Sequence, residues 1–430
     1  MAGYNSLSKE QLNEELTKLK EEYSKFCQAD IHLDMSRGKP GVEQLELSMG
    51  MLDVLNSSSD MRASNGLDCR NYGVLDGIPE AKKMMAAIME VSPENIIIYG
   101  NASLSIMYDT VARSFVHGVL DGTPWCKLDK VKWLCPVPGY DRHFAITEFF
   151  GIEMINIPMN EEGPDMDMVE KLVSEDDAIK GIWCVPKYSN PSGISYSDTV
   201  VKRLAALQPA AKDFRIFWDN AYAVHHLYEE EDRQDKILNI LEECEKAGNP
   251  DMVYEFASTS KITFSGAGVA AMATSKANIE YIIKQMSIQT IGYDKINQLR
   301  HVRFFKDFDS IKAHMMRHAE KMRPKFQAVL TILDKELKDA EIATWTNPNG
   351  GYFISLDVME GCAKKVVSMC KEAGMVLTGA GATYPYGKDP EDKNIRIAPS
   401  FASPEELVEA SKILVVCTKI AAIEKLLENK

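Results

Sequence analysis

Lys261, in the string ASTSKITFSGAGVA, carries an amine that could condense with an aldehyde. Upstream, the apolar run of FRIFWDNAY ends in Asp219 and Tyr222, and KGIWCVPKYSNPSG ends in Asn190, Pro191 and Gly193. Downstream, NIRIAPSF places Arg396 in another short apolar run. An amine forms a Schiff base, and a carboxylate keeps a pyridine nitrogen protonated. An amide and a phenol hold a ring oxygen, and a guanidinium grips a carboxylate. These are the parts that pyridoxal 5′-phosphate chemistry requires. Each alone is ordinary: an acid after an apolar run often caps a helix, and NPSG is good turn chemistry. Their order and separation carry the reading.

Such residues must be positioned by regular elements, and the chain alternates strand-like and helical patterns. Short apolar runs recur as NIIIYG, KVKWLCPV, GIEMINIPM, AIKGIWCVP, FRIFWD, MVYEFAS and GVAAMAT. Several end in the residues named above, which predicts an α/β fold with a mainly parallel sheet and a site beyond the strands' carboxyl ends. Residues 8–28 read as an amphipathic helix with Leu12, Leu16, Leu19, Tyr23 and Phe26 along one stripe. After about residue 325 the pattern changes to a long helix, YFISLDV, another helix–strand pair and a final helix from Pro404. We therefore expect a large domain over 46–325. A smaller α+β domain would be formed by 1–45 together with 326–430. The acidic stretch 228–251 is expected to be a solvated insertion between strands.

The chain resembles the class I aminotransferases, the aspartate aminotransferase superfamily, over nearly its whole length. SRGKPG, NYGVLDGIPEAK, YGNASLSIMYD, PVPGYDRHF, SNPSG, FWDNAY, STSKITFSGAGV, PNGGYF and NIRIAPSF carry the resemblance in order. The wording of SRGKP, GNASL and SKITFSGAGV is nearest to the MocR-like branch. The resemblance implies fold type I, with a large domain built on a seven-stranded-type sheet between helices. It also implies a homodimer with shared active sites. Lys261 would bind the cofactor, Asp219 would pair with its ring nitrogen, and Tyr222 and Asn190 would hold its ring oxygen. Tyr140 would stack on the ring. Asn101, Ala102 and Ser103, at a strand–turn–helix junction, would offer amides to the phosphate, with Ser258 adding a hydroxyl. Tyr72 would reach the phosphate of the neighbouring subunit's cofactor. Arg396 would clamp the substrate α-carboxylate beside the main chain of Gly38. For a distal carboxylate the candidates are Arg37 and Lys39, with Arg37 favoured for its planar fork. One departure stands out: Gly268 falls about where relatives place a phosphate-pairing arginine, leaving Lys295, Arg300 or Arg303 to compensate.

Composition narrows the function classes. The 430 residues are 45% hydrophobic and 26% charged, ordinary for a globular enzyme. A formal charge of −14 disfavours a nucleic-acid surface. The nine cysteines, with no C-x-x-C pair, suggest reduced thiols in a cytoplasmic protein. The start has no apolar core of a signal peptide, no stretch approaches a membrane span, and no metal site is expected. The reading is an aminotransferase moving the amino group of aspartate to 2-oxoglutarate in ping-pong half-reactions. Its amino-acid and 2-oxo-acid partners would share one pocket. A β-lyase, or an aminotransferase of other amino acids, would use the same residues. A non-catalytic effector module of a transcription regulator is the remote alternative, because too little chain precedes SRGKPG for a DNA-binding domain.

Overall fold

The computed structural model describes residues 3–428 and 430. Thirteen strands are present among them: β1 (Leu33–Asp34), β2 (Ile96–Ile98), β3 (Lys132–Val137), β4 (Glu153–Asn160), β5 (Gly163–Pro164), β6 (Ile179–Cys184), β7 (Arg215–Asp219), β8 (Val253–Ser258), β9 (Ala270–Ala273), β10 (Ala343–Trp345), β11 (Ile354–Val358), β12 (Met375–Val376) and β13 (Asn394–Ile397). The large sheet runs in the order β2-β9-β8-β7-β6-β3-β4-β5. Its centre, from β8 to β4, is parallel. The strand β9 is antiparallel to both neighbours. Helices cover the sheet on both faces, so β6 and β7 are buried along their whole length, which is why their sequences are nearly unbroken apolar runs. The sheet has eight strands rather than seven. The eighth is the two-residue β5, which folds back antiparallel on the end of β4.

A smaller antiparallel sheet, β10-β11-β13, carries Arg396 opposite Ser355. The N-terminal segment joins this part of the molecule: β1 pairs in parallel with β12. The helix Lys9–Gln28, opened by a Ser8–Gln11 capping box, buries Leu12 and Leu19 against the C-terminal helix Pro404–Glu428. Leu16, Tyr23 and Phe26 lie partly buried on the same core. One long helix, Phe308–Leu337, serves both cores. Ile311 and Met315 pack with the large sheet, while Met322, Phe326 and Val329 pack with the smaller one.

The expectation of a solvated insertion at 228–251 is corrected in part: much of the segment is exposed between β7 and β8, but it is also seated in the core. The segment contains the helix Ile240–Lys246, whose Ile240 and Cys244 are buried in the core beneath the sheet. Abundant acids masked an apolar stripe of Ile237, Leu238, Ile240 and Leu241. No helix is long and apolar enough to cross a membrane among the described residues, and no metal-holding cluster occurs among them.

Candidate active site

The carboxyl ends of β6, β7 and β8 meet the edge of the smaller sheet around a cavity of about 580 Å³. Lys261, Asp219, Tyr222, Asn190, Tyr140, Ser103, Gly38, Arg37 and Arg396 all line it. Positions distant in sequence converge because the parallel strands end on one side of the sheet.

Asp219 closes β7 and is buried. A carboxylate only accepts hydrogen bonds, and His143 Nε2 meets its Oδ2 at 2.9 Å. The His143 ring in turn stacks on Trp183, with centroids 4.4 Å apart and planes 13° apart, and meets the edge of Tyr140 at 4.9 Å. Asp219 Oδ1 is buried without a partner among the described residues. One charge-assisted acceptor is therefore left open inside the fold, which is costly unless something fills it.

The Lys261 ammonium lies 5.1 Å from the Tyr222 ring centroid and 5.9 Å from that of Tyr352. Burial holds its pKa below the ordinary lysine value, against a smaller opposing pull from Asp219. A free amine is thus more accessible here than on a surface lysine. Burial raises the Tyr222 phenol well above its ordinary range, so it remains a donor at neutral pH. Burial likewise pushes Tyr140 up to about 12. His225 lies edge-on to Tyr222 at 5.6 Å, and burial lowers its pKa well below the ordinary histidine value, keeping it neutral.

Arg396 is held from several sides. Its Nη1 donates to Asp141 Oδ1 at 2.8 Å and to Asn190 Oδ1 at 3.3 Å. Its Nη2 donates to Thr378 Oγ1 at 3.1 Å, and the guanidinium lies 5.0 Å from the Phe353 ring centroid. Gly38 passes so close to that ring that a Cβ there would stand 2.3 Å from Phe353 Cζ. Arg37 makes no ion pair among the described residues, whereas Lys39 places its ammonium 3.7 Å from the Phe401 ring centroid. Arg142 also lines the cavity.

At the other end, the helix Ser103–His117 begins with Ala102 as its cap and no side chain bonded to its first amides. Such amides are an anion site in waiting. Ser258 Oγ is turned to Ser260 Oγ at 3.0 Å, and Ser260 Oγ donates to Asn101 O at 3.1 Å. A Cβ at Gly268 would lie 2.9 Å from that same Asn101 oxygen. Lys295, Arg300 and Arg303 do not line the cavity: Arg300 is bonded to Asn297 and Arg303 to Asp60 O. Tyr72, 79% exposed, also lies outside it.

Sequence reading missed His143, Asp141 and Thr378. His143 had a signal, since it stands three residues after Tyr140 on the helix Asp141–Phe149 and so shares its face. Thr378 had none, because it arrives only through the long-range pairing of β1 with β12.

The family model described as aspartate amino-transferase matches residues 7–430. A protein of Corynebacterium glutamicum named aspartate aminotransferase is 46% identical over 407 residues, covering 94% of this chain and 93% of its own. The crystal structure of an aspartate transaminase from that species superimposes with a TM-score of 0.96 at 45% identity, covering 99% of both chains. At 19% identity, an alpha-aminoadipate aminotransferase of Thermus thermophilus, complexed with N-(5'-phosphopyridoxyl)-L-leucine, shares the fold with a TM-score of 0.72, covering 99% and 97%.

Proposed function

The chain belongs to the aspartate amino-transferase family, pyridoxal 5′-phosphate enzymes of class I, and from that premise we propose that aspartate and 2-oxoglutarate are its substrates. The observation that carries the proposal is that Arg396, anchored on the smaller sheet, shares one cavity with two further guanidinium groups, those of Arg37 and Arg142. A dicarboxylic substrate needs one cation for each end, and a planar fork binds a carboxylate better than a point charge.

The residues present fit the cofactor. The open Oδ1 of Asp219 suits a protonated ring nitrogen, the free amides at Ala102 and Ser103 suit a phosphate, and the Lys261 amine suits the aldehyde. When bound, the cofactor supplies an electron sink for the pair released as the substrate Cα loses its proton. Lys261 is the group proposed to carry that proton, since burial lowers its pKa and so favours the free amine that can accept one. Asp219, oriented by His143, would hold its charge toward the ring nitrogen. Tyr222 and Asn190 would donate to the ring oxygen, with Tyr140 beside the ring. Asn101, Ser103 and Ser258 would bound the phosphate end. Gly38 would let the backbone of the SRGKPG segment lie against the substrate carboxylate.

Exposed Tyr72 is assigned to the phosphate of a partner subunit's cofactor, in a twofold dimer that shares both sites. The test is to mix purified enzyme with aspartate and 2-oxoglutarate and assay oxaloacetate against pyruvate and ammonia. Oxaloacetate at a kcat/KM above that with other donors is expected. Pyruvate or ammonia release would instead indicate elimination chemistry. Lys261→Ala should lose the borohydride-sensitive absorption band.

A further inference from the structure

Behind the segment that bears Asp219 lies a second cavity, of about 480 Å³, that shares no lining residue with the first. Successive residues of an extended chain point to opposite faces. Asp219 and Tyr222 line the first cavity, while Trp218, Asn220 and Ala223 line the second. Residues 229–240, from the acidic insertion, form its outer wall.

Two buried polar groups that line it lack the partners their burial calls for. Lys187, 7% exposed, donates to Ala223 O at 2.8 Å and makes no ion pair among the described residues. An ammonium has three donors, so two remain. Burial brings its pKa down to about 8, although Glu90 and Asp235 pull the other way from a distance. Asn220, also 7% exposed, gives its Nδ2 to Glu255 Oε1 at 2.9 Å and leaves Oδ1 buried with no partner. Glu90, itself exposed, borders the same space, and Met89, Trp218, Val224 and Met315 supply an apolar surface.

A buried cation without a counter-ion favours an anion, and an orphaned amide oxygen favours an N–H donor. A purely anionic guest would meet Glu90 and Asp235, and a purely cationic one would meet Lys187. Both demands are met by a zwitterion with an apolar body. We propose that this cavity binds a free α-amino acid with an apolar side chain, its carboxylate on Lys187, its ammonium on Asn220 Oδ1 and Glu90, and its side chain against Met89, Trp218 and Met315.

The test is equilibrium dialysis of borohydride-reduced holoenzyme with labelled L-phenylalanine. Binding is expected to survive Arg396→Met and to weaken more than tenfold in Lys187→Met. The analogues 3-phenylpropionate and 2-phenylethylamine, each lacking one charge, should compete more than tenfold less well than the amino acid. Should Lys187→Met fail to fold, Met315→Trp fills the apolar end with Lys187 in place and should give the same loss. Absence of binding overturns the proposal. So does binding that vanishes in Arg396→Met yet persists in Lys187→Met and Met315→Trp, or equal binding of either analogue.

Discussion

At the level of single residues, the Arg396–Asp141 pair has a measurable consequence. The carboxylate of Asp141 already occupies one guanidinium nitrogen, at 2.8 Å, so a substrate carboxylate bound by Arg396 as proposed would compete with it. A pair of this kind, partly open to solvent, is worth about 1 kcal/mol. Asp141→Asn is therefore expected to lower KM for donor and acceptor alike by about fivefold, with kcat little changed. Steady-state kinetics with both substrates checks it, and a raised KM would show that Asp141 holds Arg396 in place instead. Arg396→Lys loses the fork that reaches Asp141, Asn190 and Thr378 together. We expect KM to rise by at least about tenfold, since a lysine cannot bond in two directions in one plane.

At the level of elements, the strand ends were the legible part. The apolar runs of β6, β7 and β8 can be read from sequence because a sheet covered on both faces demands them, and each run stops at or just before a cavity residue. Illegible were contacts set by long-range register. Thr378 reaches Arg396 because β1 pairs with β12, and no local pattern announces a two-residue strand. The insertion at 228–251 was misread in part because its acids outnumber the apolar residues that seat Ile240 and Cys244. The segment around Gly38 provides a test at this scale. Its backbone lies against Phe353, and an added methyl would have to displace that ring, on which the Arg396 guanidinium rests. Gly38→Ala is expected to raise KM severalfold while the cofactor absorption band stays unchanged. A loss of the band with KM preserved would refute this placement.

For the whole molecule, five histidines, four buried and His226 half-buried, set the response to acid. Burial depresses His301 to about 4 and His226 and His318 to about 3, and lowers His225 and His314 as well. Their unfolded forms take up protons near pH 6.5, so below that pH the unfolded state binds more protons and stability falls as pH falls. At pH 5 His301, His226 and His318 each cost about 2 kcal/mol by the same linkage. Glu255 opposes them: burial raises it to about 8, so its contribution grows as pH falls from that value toward its unfolded pKa. One such group offsets about one histidine, so the histidines prevail. Urea denaturation midpoints should drop clearly between pH 7 and pH 5, and a flat profile would count against neutral burial of these rings. The long helix Phe308–Leu337 is rooted in both cores, with the reactive amine on one of them and the carboxylate fork on the other. The protein is thus built like a caliper, two jaws mounted on a common rod. If Arg37 meets the distal carboxylate as proposed, altering that jaw tip would reset the gauge for chain length and leave the rod and the opposite jaw untouched, so new substrates could be sampled in descent without rebuilding the machinery proposed to handle the proton.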